Sequence, residues 1–347
     1  MPPLRPLCAL LAAGALLVPG AMALPAAAQE VCEGEPIVSS AILYDRNTRP
    51  MVQVSIAGQD GFLILDTGGA KSIIDPDAAR ELDLRIGQFA APSPFDNGFS
   101  ARPSEVYIDV RGRRSSSFAT VDELQFGGRS FGTVEFVLSS LDHIQNDRTD
   151  PVGTLGADFM VAYDVVFDFG KDEFQLYMPN QCSFSPLPEG AETDGFIAVP
   201  FTTNSSNHIR FPLHLDGQML TAVLDTGAYD TILSLPTAQR RFSIDLNAPD
   251  VIRTGELAGN SMASLYRRRF SSLQIKTLLL LDPMINLMPD LMAQSSASPW
   301  RVSIMDRLTE GRATLPDFIL GMSVLSRYRL HIAYDNREFY LFPVGGN

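Results

Sequence analysis

Cysteine and histidine are scarce in this chain, and their scarcity excludes most metal chemistry. Three cysteines and four histidines are spread over 347 residues. His143, His208, His214 and His331 stand without the spacing of metal ligands, and the cysteines are too few and too far apart for a zinc site. No serine or cysteine lies in a nucleophile motif, and no glycine-rich loop is placed to cradle a phosphate. Basic residues are also in deficit. A formal net charge of −13 argues against nucleic acid or an anionic membrane surface as a partner. The densest basic stretches, Arg111, Arg113 and Arg114, and Arg267 to Arg269, read as solvated loops or strand ends. Beyond the N-terminus no apolar run is long enough to cross a bilayer. The most apolar one, Leu278 to Leu281, is cut by Asp282 and Pro283 and reads as a buried strand.

The N-terminal segment is the exception. One early cation, Arg5, is followed by the apolar run Leu7 to Val18 and by small residues ending Ala26-Ala27-Ala28 before Gln29. This is the pattern of a secretory signal peptide, removed on export, so residues 1–28 are set aside from the fold. The expected location is periplasmic or secreted, with no stable membrane insertion after cleavage. Cys8 leaves with the peptide. Cys32 and Cys182 then remain, and in an exported protein their expected state is a bridge between the N-terminal strand and the start of a linker.

What the sequence has in quantity is repetition. Asp66-Thr67-Gly68-Gly69-Ala70-Lys71-Ser72 and Asp225-Thr226-Gly227-Ala228-Tyr229-Asp230-Thr231 each follow an apolar run and lead into another. At the same offset of 159 residues (225 − 66), Val54 falls on Leu213, Ile56 on Leu215, Gly58 on Gly217, Gln59 on Gln218 and Tyr107 on Tyr266. Alternating apolar residues, a glycine turn and a second apolar strand predict a β-hairpin ahead of each Asp-Thr-Gly. Late in each half the register returns with an offset of 165 (320 − 155): Leu155-Gly156 matches Leu320-Gly321, Tyr163 matches Tyr328, and Glu173-Phe174 matches Glu338-Phe339.

These matches predict a mainly β chain with an internal pseudo-two-fold repeat. The expected units are a first lobe over 29–182, a Pro- and Gly-containing linker over 183–194, and a second lobe over 195–347. Helical spacing occurs around Asp75 to Leu82 and Ser323 to Arg327. Extra polar residues mark Arg111 to Thr120, and a longer excursion runs from Met284 to Ala313.

A carboxylate delivered from a buried strand is costly, and two brought together repel, so a chain that does this twice has a use for the pair. Two carboxyls sharing one proton can activate a water and protonate a carbonyl oxygen at the same place, which is what amide hydrolysis needs. Asp66 and Asp225 are the candidate catalytic dyad. Gly68 and Gly227 lack a Cβ and let backbone N–H groups approach the carboxylates. Thr67 and Thr226 can send hydroxyls across to the opposite turn, while Ser72 and Thr231 can close the turns locally.

With these residues quoted, the chain resembles the aspartic peptidases of the retropepsin and pepsin clan, and more closely bacterial retropepsin-like proteins with both half-sites on one chain. Asp225-Thr226-Gly227-Ala228 with Asp230-Thr231 is similar to the retroviral motif, and Leu155-Gly156 and Ile319-Leu320-Gly321 resemble the apolar-apolar-Gly element beside the catalytic loop. The resemblance implies a bilobal, mainly β acid-protease fold with the cleft between the lobes. It further implies a protein or peptide substrate, no cofactor and no metal. A monomer is expected, because both half-sites lie on one chain.

A hairpin flap would close over substrate, and Ser93 to Ser100 and Thr254 to Ser261 are its candidates. Tyr107 and Tyr266 are candidate substrate contacts. The chain departs from the retroviral pattern in two places. The acidic position after Asp-Thr-Gly-Ala holds Ala70 and Tyr229, and its arginine partner's position holds Ala157 and Met322.

Two other classes stay open. An exported peptide-binding or envelope scaffold protein could keep the fold without turnover. A glycosidase would also use two acids, but it needs no glycine-flanked pseudo-dyad.

Overall fold

The computed structural model describes residues 30–32, 35–89, 107–108, 114–141, 150–180, 182–184, 196–204, 206–257, 260–289 and 316–344. The expected signal segment, the flap candidate Ser93 to Ser100 and most of the expected linker lie outside them.

Each half begins with a hairpin whose turn the sequence sets. Pro50–Ile56 pairs with Gln59–Leu65 around Ala57 and Gly58, at φ of 52° and 77°. Ile209–Leu215 pairs with Gln218–Leu224 around Asp216 and Gly217, at 46° and 74°. Two central residues at positive φ match the right-handed twist of the flanking strands. Alternation then fixes the inward face, where Val52, Val54, Ile56, Leu213 and Leu215 are buried.

After each Asp-Thr-Gly turn come a short strand, Ile73–Ile74 or Ile232–Ser234, and a helix, Pro76–Glu81 or Leu235–Phe242. Both helices start on a side-chain cap and an early proline: Asp75 accepts from the Asp77 N–H, and Ser234 accepts from the Thr237 N–H. The apolar-apolar-Gly elements are the strands Gly153–Leu155 and Phe318–Leu320. Each lies between the hairpin's second strand, which it joins in parallel, and the short strand after Asp-Thr-Gly, which it joins antiparallel. Short helices, Ala157–Met160 and Met322–Leu325, follow them.

These elements build two ten-stranded sheets with the same strand order. In the first half the order is Arg129–Ser130, Leu124–Phe126, Pro50–Ile56, Gln59–Leu65, Gly153–Leu155, Ile73–Ile74, Val134–Leu138, Ser117–Val121 and Arg85–Gln88, with Leu43–Tyr44 branching off. In the second it is Leu278–Leu281, Ser272–Ile275, Ile209–Leu215, Gln218–Leu224, Phe318–Leu320, Ile232–Ser234, Met284–Met288, Asn260–Arg269 and Val251–Leu257, with Thr202–Thr203 branching off. The chain is mainly β, with two curled sheets of similar size and a pseudo-two-fold repeat, a bilobal fold.

A third sheet joins the halves. Its six strands run Ile197–Pro200, Glu338–Pro343, Tyr328–Ala333, Asp164–Asp168, Glu173–Tyr177 and Val38–Ala41. At its centre Val166 pairs with His331, Asp164 with Ala333 and Asp168 with Arg329. Repeat-related residues exchange partners here, so the pseudo-two-fold axis passes between Val166 and His331. One apolar core runs from lobe to lobe through Phe167, Phe174, Phe211 and Phe339, all fully buried.

Two expectations are corrected, the burial of Leu278 to Leu281 and the equivalence of Tyr107 and Tyr266. Leu278–Leu281 is not buried: it is the edge strand of the second sheet, with Leu279 and Leu281 54% and 70% exposed. An unbroken leucine run does not say how many neighbours a strand has. The polar stretch Arg111 to Thr120 leads into a sheet strand, Ser117–Val121, with Ala119 and Val121 buried. Tyr107 and Tyr266 are not equivalent. Tyr266 sits in Asn260–Arg269, whose Arg267 pairs with Asn286 as Phe118 pairs with Val137 in the first half. Tyr107 lies in a separate ribbon, Tyr107–Ile108 with Arg114–Ser115. The equal spacing from the two aspartates spans connections of different architecture.

Candidate active site

The two Asp-Thr-Gly turns meet face to face on the pseudo-two-fold axis. Each aspartate is held by its own lobe, the Asp66 N–H donating to the Leu155 carbonyl and the Asp225 N–H to the Leu320 carbonyl, both at 3.0 Å. The threonines then bind the lobes to each other. The Thr67 N–H donates to Thr226 Oγ1 at 3.1 Å, and the Thr67 hydroxyl donates to the Leu224 carbonyl at 3.0 Å. Reciprocally, the Thr226 N–H donates to Thr67 Oγ1 at 3.0 Å, and its hydroxyl to the Leu65 carbonyl at 2.6 Å. Both threonines are fully buried. Each therefore satisfies polar groups that would otherwise be stranded in the interface.

This grip presses each glycine against the opposite carboxylate. A Cβ on Gly68 would lie 2.2 Å from Asp225 Cγ, and one on Gly227 would lie 2.4 Å from Asp66 Cγ. Glycine is required here by close approach, not by backbone angle. The apolar-apolar-Gly elements pack just as tightly: a Cβ on Gly156 would meet the Gly69 carbonyl oxygen at 2.8 Å, and one on Gly321 the Asp230 carbonyl oxygen at 2.1 Å.

Ser72 and Thr231 do more than close their own turns. The Gly156 N–H donates to Ser72 Oγ at 3.0 Å, and Ser72 donates through both its N–H and its hydroxyl to Asp158, each at 2.8 Å. The Gly321 N–H donates to Thr231 Oγ1 at 3.2 Å, and Ser323 takes the place of Asp158 by accepting from the Thr231 N–H at 3.0 Å. Burial raises the Asp158 carboxyl above its ordinary range, opposed by the two Ser72 donors and by Lys71.

The carboxyls of Asp66 and Asp225 lie within hydrogen-bonding reach of one another. Burial raises both. At Asp66 this is opposed by the Gly69 N–H, the Arg49 charge, the Gly68 N–H and the hydrogen bond with Asp225. Asp225 is pushed up to about 8, by burial first and then by the Asp66 charge, against the N–H groups of Ala228 and Gly227. The Ala228 N–H donates to Asp225 Oδ1 at 2.9 Å. The repulsion between them favours a single shared proton over a wide range.

No protein family description matches this sequence, and no curated protein matches it. Among solved structures it is similar to a retropepsin-like aspartic protease from Rickettsia conorii, at 19% identity and a TM-score of 0.29, over 43% of this chain and 91% of that one. At that level the likeness leaves function to be argued from this chain's own geometry.

Of the residues singled out in the sequence, Asp66, Thr67, Gly68, Asp225, Thr226 and Gly227 come together at one point. Tyr107 and Tyr266 do not form a matched pair around it. The flap candidate Thr254 to Ser261 falls in an antiparallel hairpin of Val251–Leu257 with Asn260–Arg269, irregular at Gly255. Three participants were not expected. Asp158 and Ser323 carry no motif. Arg49 shares only its position ahead of the hairpin with His208. Beside the second turn, Arg267 donates to Asp230 at 2.9 Å and to Asn286 at 2.7 Å. This arginine of the basic triplet is thus engaged within its own lobe.

Proposed function

We propose that this protein is an aspartic-type endopeptidase that hydrolyses peptide bonds by water activated between Asp66 and Asp225. The observation that carries this reading is the facing pair of aspartates, set on the axis by mutual threonine bonds and by glycines with no room for a side chain beside the opposite carboxyl. A water between the carboxyls loses a proton to the ionised one and attacks the scissile carbonyl, whose oxygen takes the proton from the protonated one. The tetrahedral diol then collapses: the carboxyl that took the water's proton passes it to the nitrogen, the C–N bond breaks, and one diol hydroxyl gives its proton to the other carboxyl as the carbonyl re-forms, which restores the single-proton pair. No covalent enzyme intermediate is formed. Thr67, Gly68, Thr226 and Gly227 keep the carboxyls in place, and Tyr107 and Tyr266 are proposed substrate contacts. The working form is proposed to be an exported monomer acting on a protein or peptide.

The test is cleavage of a diverse peptide library by the purified protein between acidic and neutral pH, beside Asp66→Asn and Asp225→Asn. Turnover lost by at least about 10³-fold in either variant is expected for groups that act as a unit. A folded wild-type protein that cleaves nothing at any pH would move the weight to a peptide-binding protein on the same fold.

A further inference from the structure

Asp230 closes the second Asp-Thr-Gly turn, and its side chain belongs to a ring of three hydrogen bonds. Asp230 Oδ2 accepts from Arg267 Nη2 at 2.9 Å and from Asn286 Nδ2 at 2.6 Å, and Asn286 Oδ1 accepts from Arg267 Nε at 2.7 Å. Three elements meet here: the turn, the hairpin strand Asn260–Arg269, and Met284–Met288. Arginine suits the ring because its planar fork sets donors at a fixed spacing, here one on each partner. The Asn286 amide is matched to it, with its oxygen toward the cation and its nitrogen toward the anion.

The main chain of the same turn is held separately. The Ala228 N–H donates to Asp225 Oδ1 at 2.9 Å, the Ala228 carbonyl accepts from the Met322 N–H at 2.8 Å, and the Thr231 carbonyl accepts from the Asn286 N–H at 3.1 Å. The ring adds a side-chain link from this turn to the hairpin strand. The Arg267 and Asp230 side chains are 39% and 21% exposed, so the link contributes little to global stability and its effect is local.

The other half is built from different residues at the same places. Ile73 pairs with Val137 and Val137 with Phe118, as Ile232 pairs with Asn286 and Asn286 with Arg267. Lys71 takes the place of Asp230, at the offset of 159 (230 − 71). Valine and phenylalanine have no polar side-chain atom, so the first half cannot form the ring. The Phe118 ring instead lies over its strand partner Gly87, with its centroid 5.2 Å from that of Phe89.

We propose that Arg267 is a positioning residue, which holds the turn carrying Asp225 against the hairpin strand Asn260–Arg269 through Asp230 and Asn286. Its effect on turnover rests on the peptidase reading, whereas the link itself does not.

The experiment follows hydrogen exchange at the Ala228 amide by ¹⁵N–¹H NMR of the whole protein, because that N–H reports on the bond to Asp225, with peptide cleavage measured on the same samples. Arg267→Met and Asp230→Ala are each expected to speed exchange at Ala228 by about 5-fold or more and to lower kcat more than they raise KM, with the melting temperature nearly unchanged. Arg267→Lys keeps the charge but loses the fork, and is expected to recover only part of the protection. The double variant is expected to do no more than the more severe single one, since both break one ring. Arg269→Met is the control. It lies on the same strand and donates to the Asp282 carbonyl at 3.2 Å, and exchange at Ala228 is expected to match the wild type. Unchanged Ala228 exchange in folded Arg267→Met, fully additive effects in the double variant, or an equal effect from Arg269→Met would overturn the proposal. Should Arg267→Met not fold, Arg267→Lys and Asp230→Ala decide it by the same readout. If the wild type cleaves no peptide yet Ala228 responds as described, the peptidase reading fails while the link stands.

Discussion

Gly68 and Gly227 show how closely single atoms determine this centre. Neither is needed for a left-handed backbone; each is needed because the opposite aspartate occupies the space a methyl group would take. Gly227→Ala is therefore expected to push the lobes apart at the dyad, costing about 1–3 kcal/mol of stability and more than about 100-fold in turnover, read by thermal melting and peptide cleavage. Gly58→Ala is the contrast. Its φ of 77° is unfavourable for alanine, yet nothing lies within 4 Å of the new Cβ. Strain of about 1 kcal/mol with unchanged cleavage is expected there. Equal losses of activity in the two variants would contradict the close-approach argument.

At the scale of elements, the ribbon of Glu30–Cys32 with Cys182–Phe184 stands apart from the three large sheets. A ribbon of three residues a side is marginal without further support. Its register sets Cys32 directly opposite Cys182, and antiparallel partners lie at a Cα spacing that a disulfide spans. Oxidation by a thiol–disulfide exchange partner in an exported compartment would close the whole first half into one loop. The expected result is no reactive thiol from either residue in the denatured, unreduced exported form, and two after reduction. Cys32→Ser is expected to lower stability by about 2–5 kcal/mol. Two thiols titrating before reduction would show the ribbon to be held by backbone pairing alone.

For the whole molecule, docking the lobes brings together two carboxyls that are far apart in the unfolded chain, and proton linkage records that. Asp225 ionises near its ordinary value of 3.8 when unfolded and near about 8 when folded. Between those limits the folded state binds more protons, so raising the pH favours unfolding. Asp66 is shifted in the same direction. Stability from this pair is thus present in full below about pH 4 and is lost progressively up to about pH 8. Chemical denaturation at pH 5 and pH 8 should show the wild type weaker at pH 8, and Asp225→Asn with a smaller difference. The same difference in both proteins would place the pH dependence elsewhere.

By itself the sequence determined the repeated hairpins, the Asp-Thr-Gly turns and the apolar-apolar-Gly elements. Their signals are local: alternating burial, a positive-φ turn ahead of each aspartate, a cap and proline at Asp75-Pro76. The same locality explains what could not be read. Tyr107 and Tyr266 have equal spacing from their aspartates but different strands, because spacing along a chain does not count inserted ribbons. Leu278 to Leu281 is hydrophobic enough for a core yet lies at an edge, because burial depends on neighbours. The six-stranded sheet joining the lobes and the reach of Ser72 to Asp158 were decided by tertiary structure alone. Each depends on residues distant in sequence or on a pairing register, and the joining sheet exists only once both lobes have folded onto the common axis.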